Sequence, residues 1–254
     1  MDGKREFDGL AEGDDLAELL RLMREKIDPA LLELLLMGGG SFLKSVGSSD
    51  ASPEGDHNWQ QAVIAREISE GTSVLDLGCG EGVLLGRLAE EKSARVQGVE
   101  LDADKVAACV EKGIPVIQTD LDLGLKIFPD KSFEYVILEE TLQTLRRPDV
   151  IISEMRRVGR RGIVTFPNFG YWRVRLDLAV RGRMPVTGWL PYRWHQTPNI
   201  HLFSIRDFQI YARENGLKLL ETHVLADGVI RPFRPGDNLH AEEALCLFES
   251  GEAP

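Results

Sequence analysis

A short apolar run that leads directly into a glycine-rich turn constrains the fold of this chain more than any other feature. Val74, Leu75 and Leu77 have the character of a buried strand, and the residues after Gly82 repeat apolar side chains at helical spacing. Glycines allow the backbone between them to approach a ligand closely. The run Val74-Leu75-Asp76-Leu77-Gly78-Cys79-Gly80-Glu81-Gly82 therefore predicts a strand, a ligand-binding turn and a helix whose first amides face the turn.

The spacing of these glycines separates two kinds of cofactor. Dinucleotide-binding turns follow the pattern G-x-G-x-x-G, whereas Gly78, Gly80 and Gly82 follow G-x-G-x-G, with Val83 in the sixth position. Asp76 lies two residues before the first glycine, and a carboxylate there repels a pyrophosphate but attracts an ammonium group. S-adenosylmethionine (SAM) carries an ammonium group and a sulfonium, so the turn indicates SAM rather than a dinucleotide.

Acidic residues follow the next two predicted strands. Glu100 ends one strand about 20 residues after the glycines, where a carboxylate accepts hydrogen bonds from both ribose hydroxyls. Asp120 follows the third strand, where it accepts from the adenine amine while the backbone of the next residue donates to the ring. The residues predicted to bind the cofactor are Asp76, Leu77, Gly78, Gly80, Gly82, Glu100, Leu101, Asp120 and Leu121.

Predicted strands and helices alternate after residue 58, which indicates a parallel sheet with crossover helices. Residues 1–57 precede this core and read as an N-terminal helical extension followed by a linker rich in Ser, Gly, Asp and Pro. The extension carries an amphipathic helical pair that packs on the domain or binds a partner. The division predicted is therefore 1–57 for the extension and linker, and 58–254 for the cofactor-binding domain.

Charge and cysteine content exclude several classes of function. A net charge of -11 disfavours a general nucleic-acid-binding protein, because neutralising phosphates requires a basic face. No segment has the length and apolar character of a membrane span or signal peptide, so no membrane partner is expected. Three cysteines without metal-ligand spacing predict neither a disulfide framework nor a metal site, and they fit a reducing cytoplasm best.

Four further runs resemble the methionine biosynthesis protein MetW family more specifically than the glycine turn does. They are Leu145 to Asp149, Gly162 to Arg173, Arg181 to Pro185 and Thr197 to Leu202. The resemblance implies the class I SAM-dependent methyltransferase fold: an α/β, Rossmann-like, seven-stranded, mostly parallel sheet whose last strand is antiparallel. It covers some 160 residues of the chain.

The MetW resemblance also implies a role. Family members are tied to methionine biosynthesis as companions of homoserine O-acyltransferase, so the implied function is binding of SAM or S-adenosylhomocysteine beside that partner. The alternative is an active SAM-dependent methyltransferase that acts on a small molecule. One departure concerns the mouth of the site, because Glu139-Glu140 replaces neutral residues there.

No catalytic residue is assigned from the sequence, although three groups are candidates for chemistry. Glu140 acts as a base, contacts a substrate ammonium or caps a helix. The segment 166–203 holds eight of the chain's 18 aromatic residues among arginines, which indicates either a roof over the cofactor or a protein interface. His195 and His201 are structural hydrogen-bonding residues or bases.

Overall fold

The computed structural model describes residues 58–249, which build one eight-stranded sheet in the order β3-β2-β1-β4-β5-β8-β6-β7. Strands β1 to β5 are parallel, and β8 lies antiparallel between β5 and β6. The strands are β1 (Ser73–Leu77), β2 (Arg95–Glu100), β3 (Val116–Gln118), β4 (Phe133–Leu138), β5 (Gly159–Pro167), β6 (Lys218–Ala226), β7 (Val229–Pro232) and β8 (Ala241–Glu249). The predicted N-terminal helical extension lies outside the described residues.

Seven α-helices connect or flank these strands within residues 58–249, and a π-helical turn at Asp177–Arg181 follows the fifth of them. The α-helices are α1 (Asn58–Glu67), α2 (Val83–Lys92), α3 (Ala103–Glu111), α4 (Pro148–Val158), α5 (Trp172–Leu176), α6 (Ile205–Glu214) and α7 (Asp237–His240). Short 3₁₀ turns follow β3 and β4, at Leu121–Leu123 and Leu142–Thr144. Helix α6 begins at a capping box, visible in the sequence as Ser204-Ile205-Arg206-Asp207, and both reciprocal hydrogen bonds between Ser204 and Asp207 are present.

The strand count differs from the sequence prediction by one, while the fold class is confirmed. Strand β7 pairs antiparallel with β6 through a two-residue turn, Asp227-Gly228, in which both residues have positive φ. An Asp-Gly pair between two apolar runs is a strong hairpin signal that the prediction of seven strands passed over. The four residues of β7 end in Pro232, so the strand was too short to detect by its alternation.

Alternating side chains of the central strands fill two separate cores. In β4, Val136 and Leu138 join a core that includes helices α4 and α6, whereas Tyr135 and Ile137 join the core beneath α1 and α2. All four are at most 1% exposed. Burial on both faces explains why these strands read as continuous apolar runs rather than as alternating ones.

The order of the strands fixes where a ligand can enter. From β1 the chain proceeds outward to β2 and β3, and it then returns to β4 on the other side of β1. The connections diverge at this point and leave a crevice above the carboxyl ends of β1 and β4, where ligands bind in open α/β sheets. The glycine turn that follows β1 lies at this crevice.

Candidate functional site

The glycine turn is held tightly on one side and open on the other. Gly78, Gly80 and Gly82 have φ values of 78°, 56° and 75°, a region that side chains disfavour. The backbone N–H groups of Gly78 and Cys79 both donate to the Val99 carbonyl, at 2.8 and 3.0 Å. A Cβ on Gly78 would lie 2.8 Å from the Thr141 hydroxyl oxygen, whereas one on Gly80 would meet no atom within 4 Å. The open side at Gly80 leaves backbone accessible to a ligand.

Glu100 ties the glycine turn to the end of β2. Its Oε2 accepts from the Gly80 N–H at 2.9 Å, and its Oε1 accepts from the N–H groups of Leu101 and Asp102 at 2.7 and 3.0 Å. An ionised carboxylate has about four acceptor positions, so about one remains for a ligand hydroxyl. The Leu101 side chain beside it is 60% exposed.

Asp120 caps the short helical turn that follows β3. Its Oδ1 accepts from the Asp122 N–H at 2.9 Å, and its Oδ2 has no partner among residues 58–249. Leu121 is 6% exposed and packs into the core. Asp120 therefore combines the helix-capping role of an ordinary loop acid with one free acceptor.

Asp76, at the end of β1, is a buried carboxylate without a full set of donors. It is 2% exposed, and its Oδ1 has no hydrogen-bond partner. Burial, together with the charges of Glu139 and Glu100, raises the pKa of this carboxyl well above its usual value. A buried acceptor without a donor costs stability until a ligand pairs with it. This position suits a cationic donor.

Two more acids follow β4. Burial raises the pKa of Glu139 to about 7, and burial with the Glu139 charge raises that of Glu140 to about 7. Glu140 has a positive φ of 48°, and its carboxylate accepts from the side-chain amides of Gln60 at 2.8 Å and Gln143 at 3.3 Å. Backbone strain in a non-glycine residue is common at functional sites, so the positive φ supports a functional role for Glu140.

Glu243 of β8 brings a fourth carboxyl to the same place. It is fully buried, and its Oε2 accepts from Trp59 Nε1 at 2.6 Å and from Gln60 Nε2 at 3.3 Å. Its Oε1 has no partner, and burial followed by the Glu140 charge raises its pKa well above the usual range. We call Asp76, Glu139, Glu140 and Glu243 the acidic cluster. Within residues 58–249, no Lys, Arg or His forms an ion pair with any of them.

One cleft joins the glycine turn to Glu139 and Glu140 of the acidic cluster. It has a volume of about 520 Å³ and is lined by Gly78 to Glu81, Glu139, Glu140, Gln60, Gln61 and Gln143. Its outer wall contains Trp189 and Tyr192, from the segment that was predicted to roof the cofactor or contact a partner. Part of that segment therefore borders the cleft, while Trp194 is 76% exposed and lies outside its lining.

The structure places the predicted residues along one edge of the sheet and adds others that sequence reasoning missed. Trp59, Gln60 and Glu243 were not predicted, because their positions fall in no motif. A signal existed for Glu243 alone. It precedes a strand predicted to be antiparallel, and the start of such a strand meets the carboxyl ends of its parallel neighbours.

Neither histidine named from the sequence is hydrogen-bonded to the acidic cluster. The ring of His195 packs edge-on against Trp194, at 5.4 Å between ring centroids, and His201 lines a separate apolar groove beside α4 and α6. The backbone N–H of His201 donates to the Gln143 carbonyl at 3.0 Å. Both histidines therefore belong to the segment 166–203, part of which borders the cleft.

A group of three potential metal ligands lies away from the cleft. The ligand atoms of Glu67, Glu221 and His223 fall within 4.8 Å of one another. The Arg66 guanidinium already donates to His223 Nε2 at 3.0 Å and to Glu67, so a cationic side chain occupies this space. All three cysteines are buried and free. Among the helices of residues 58–249, none has both the length and the apolar character needed to cross a bilayer.

A crevice at the switch point of a 3-2-1-4-5 sheet, bordered by a glycine turn and an acid at the end of β2, defines a class I SAM-dependent methyltransferase fold. Solved structures agree. A chain of the complex between the Haloferax volcanii Trm112 methyltransferase activator and a methyltransferase superposes with a TM-score of 0.57 at 19% identity, over 78% of this chain and 92% of that one. A SAM-dependent methyltransferase from Archaeoglobus fulgidus gives 0.55 at 14% identity, over 77% and 95%. The chain itself belongs to the family described as methionine biosynthesis protein MetW, whose model matches residues 58–248.

Two curated relatives extend this finding. The bifunctional methionine biosynthesis protein MetXA/MetW of Rhodopirellula baltica is 39% identical over 159 residues, which are 59% of this chain and 26% of that protein. The fatty-acid O-methyltransferase of Mycolicibacterium smegmatis is 35% identical over 107 residues, covering 40% of this chain and 38% of the enzyme. The chain thus spans about a quarter of the first relative and less than half of the second.

Proposed function

We propose that this chain is a SAM-binding protein of methionine biosynthesis that acts together with homoserine O-acyltransferase. Membership of the MetW family supports the pathway. The relative in Rhodopirellula baltica supports the partner, since its name joins MetXA, the acyltransferase, to MetW in one chain. The cytoplasmic location indicated by the cysteines stays a prediction, as does the division of the chain at residue 58.

The observation that carries the SAM proposal is the unpaired buried oxygen of Asp76 at the end of β1, followed directly by a glycine turn whose face at Gly80 is open. In this proposal Asp76 pairs with the SAM ammonium group, and backbone of Leu77, Gly78 and Gly80 lies along the methionine chain, with Gly82 closing the turn. A buried charge-assisted hydrogen bond of this kind contributes about 1.5–3 kcal/mol. When bound, SAM supplies a methyl group activated by its sulfonium.

The other end of the cofactor is assigned to the ends of β2 and β3. The remaining acceptor of Glu100 suits a ribose hydroxyl, and the exposed side chain of Leu101 suits one face of the adenine. The free Oδ2 of Asp120 suits the adenine amine, with Leu121 beside it. S-adenosylhomocysteine offers the same groups except the charged sulfur, so it is expected to bind here too.

Calorimetric titration of the full chain with SAM, S-adenosylhomocysteine and NAD tests the cofactor assignment. We expect SAM and S-adenosylhomocysteine to bind and NAD to give no heat. Asp76→Asn should weaken SAM about tenfold or more, because the ammonium loses its charged partner. Glu134→Gln, at the opposite end of β4, is the control and should leave SAM affinity unchanged. If neither adenosyl compound binds, the SAM assignment is wrong.

The partner assignment needs a separate experiment. Homoserine O-acyltransferase from the same cell should co-purify with the full chain, and its rate should change when the chain is added. Deleting residues before Asn58 and repeating the co-purification locates the contact in the extension or in the domain. If the two proteins do not associate and the rate does not change, the partnership is refuted.

A second candidate function is methyl transfer to a small molecule. The cleft favours it, because its lining continues from the glycine turn to Glu139 and Glu140 after β4 and leaves a space of about 520 Å³ in all. Incubating the chain with methyl-labelled SAM and fractionated cell metabolites should then yield a labelled product. If no fraction becomes labelled, methyl transfer is excluded for those metabolites.

A further inference from the structure

The part of the acidic cluster that follows β4 has many acceptors and few donors. Glu139 and Glu140 follow β4, and Glu243 comes from β8, so three carboxyl groups meet from two distant parts of the chain. Their side-chain donors are the amides of Gln60, Gln61 and Gln143, the indole of Trp59 and the hydroxyl of Thr165. Every one of these donors is neutral. Among the described residues no cationic side chain is therefore paired with these carboxyls, and burial raises the pKa of all three.

Unpaired oxygens at this site indicate a missing donor. Gln60 and Gln143 are 0% and 3% exposed and line the cleft, and the carbonyl oxygen of each side-chain amide has no partner. Oε1 of the fully buried Glu243 is also unpaired. Each such group is costly when buried, and native structures contain few of them. A ligand that brings several donors and a positive charge to one point would pair with them.

The geometry distinguishes between two kinds of cation. A divalent metal requires ligand oxygens that converge on one point. Within the described residues, the carboxylates of this cluster do not form a group of three whose ligand atoms lie within 4.8 Å of one another. The cleft wall also contains the aromatic rings of Trp189 and Tyr192, which suit the apolar body and the charge of an organic cation.

We infer that the cleft binds the primary ammonium group of a small aliphatic amine or amino acid, held by Glu139 and Glu140 against the wall formed by Trp189 and Tyr192. This inference rests on the proposed SAM site, because the ammonium site continues the same cleft beyond Gly78. The three N–H groups of a primary ammonium match the excess of acceptors. The ligand is chosen by its charge, so a neutral alcohol of the same shape binds much more weakly.

Proton release follows from the charges that surround the site. At neutral pH Glu139 and Glu140 are partly protonated, since burial raises the pKa of each to about 7. The acids packed around them are Asp76 from β1, Glu100 from β2 and Glu242 and Glu243 from β8, and the pKa values of Asp76 and Glu243 are raised well above their usual range, so these two also hold protons. A bound ammonium stabilises the ionised carboxylates, so binding at pH 7 expels protons into the buffer.

Sinefungin tests the inference on the whole chain. This SAM analogue carries a carbon-bound ammonium where SAM carries its methyl, and S-adenosylhomocysteine has nothing there. We expect sinefungin to bind about tenfold more tightly than S-adenosylhomocysteine at pH 7, as one charge-assisted contact predicts. Titrations in two buffers of different ionisation enthalpy should show that sinefungin releases more protons.

The double variant Glu139→Gln and Glu140→Gln should lose most of that preference while it keeps its affinity for S-adenosylhomocysteine. Retained binding of S-adenosylhomocysteine also shows that the variant is folded. Glu134→Gln removes one charge from the other end of β4 and should keep the preference. The inference is overturned if wild type binds both compounds equally, if the double variant keeps the preference, or if magnesium chloride abolishes it where potassium chloride of equal ionic strength does not. If neither compound binds at all, the proposed SAM site fails first and this inference with it.

Discussion

The two halves of the crevice hold their acids in opposite ways. On the β2 side, Glu100 accepts from three backbone N–H groups. On the β4 side, Glu140 and Glu243 accept from the side chains of Trp59, Gln60 and Gln143, and several buried oxygens are left without partners. Both halves belong to one edge of one sheet. Both carboxylate oxygens of Glu100 on the β2 side have backbone donors without a ligand, whereas buried oxygens on the β4 side have none.

The source of the donors explains this difference. Backbone donors accompany the turn itself, so any chain that folds this way provides them to an acid at the end of β2. Side-chain donors depend on which residues α1 and β8 place there, and these can vary while the fold persists. We conclude that the β2 side serves the architecture and a common cofactor, and that the β4 side determines which second ligand the protein accepts.

The largest effect is expected from adding a side chain at Gly78, on the tightly packed side of the glycine turn. This turn is hydrogen-bonded to Val99 of β2, so the β2 side of the crevice depends on it. Gly78→Ala forces a side chain into a backbone with φ of 78° and places its Cβ 2.8 Å from the Thr141 hydroxyl. We expect a loss of about 2–4 kcal/mol in the free energy of unfolding. SAM affinity should fall about tenfold or more, as measured by calorimetry.

Gly71→Ala is the matched control for this change. Gly71 has a similar φ of 71°, but a Cβ there would meet nothing within 4 Å. It should show only the conformational cost, about 1–2 kcal/mol, and unchanged SAM affinity. If the two variants lose equal stability and SAM affinity, the contact with Thr141 has no role and the turn is not tightly held.

The same division explains what the sequence could predict. Strand ends, the glycine turn, Glu100 and the capping box at Ser204 are encoded within a few residues, so local pattern was sufficient. Glu243 meets Trp59 across 184 positions, and no local pattern carries that contact. Glu140 was visible as a candidate, but a lone acid after a strand does not reveal whether it will be buried. Strand β7 was missed because four residues show no periodicity, although its Asp-Gly turn gave a signal.

The next prediction compares the stability changes caused by the same Glu→Gln substitution on the two sides of the crevice. Glu100→Gln places an amide nitrogen against a backbone N–H donor, because a single side-chain oxygen cannot face both Gly80 and Leu101. We expect a loss of about 2 kcal/mol in the free energy of unfolding. Glu140→Gln keeps an oxygen for Gln60, places an amide nitrogen against the longer contact from Gln143 at 3.3 Å, and removes a buried charge. Because the desolvated charge costs more than this long contact contributes, at pH 8 the variant should gain up to about 1 kcal/mol in the free energy of unfolding.

Urea unfolding of wild type and both variants at pH 8 measures these opposite signs. Glu134→Gln, which changes a partly exposed ion pair with Arg160, should alter stability by less than about 1 kcal/mol and shows the background. A loss at Glu140 as large as that at Glu100 would remove the contrast between the two sides, since both acids would then be structural.

The last prediction concerns the pH dependence of the free energy of unfolding, to which Glu139 and Glu140 on the β4 side contribute. Glu139 and Glu140 have a pKa of about 7 in the folded protein against 4.5 ordinarily, so between these values the native state binds more protons than the unfolded state. Their contribution to stability therefore falls as pH rises from about 4.5 to about 7 and is constant above. Relative to the double variant Glu139→Gln and Glu140→Gln, wild type should lose about 2 kcal/mol between pH 6 and pH 7, about 1 kcal/mol for each carboxyl that titrates near pH 7.

Taking the difference between wild type and the double variant cancels the contributions of ionisable groups away from the site. Measurements stop at pH 5, because Glu154 and Asp237 have lowered pKa values and the protein loses their contribution in stronger acid. Repeating the series with saturating sinefungin should flatten the difference, since a bound ammonium keeps both carboxylates ionised. If the stability difference does not change with pH in the absence of ligand, the two carboxyls do not have raised pKa values in the folded protein. Their charges would then be as well stabilised as that of Glu100 on the β2 side.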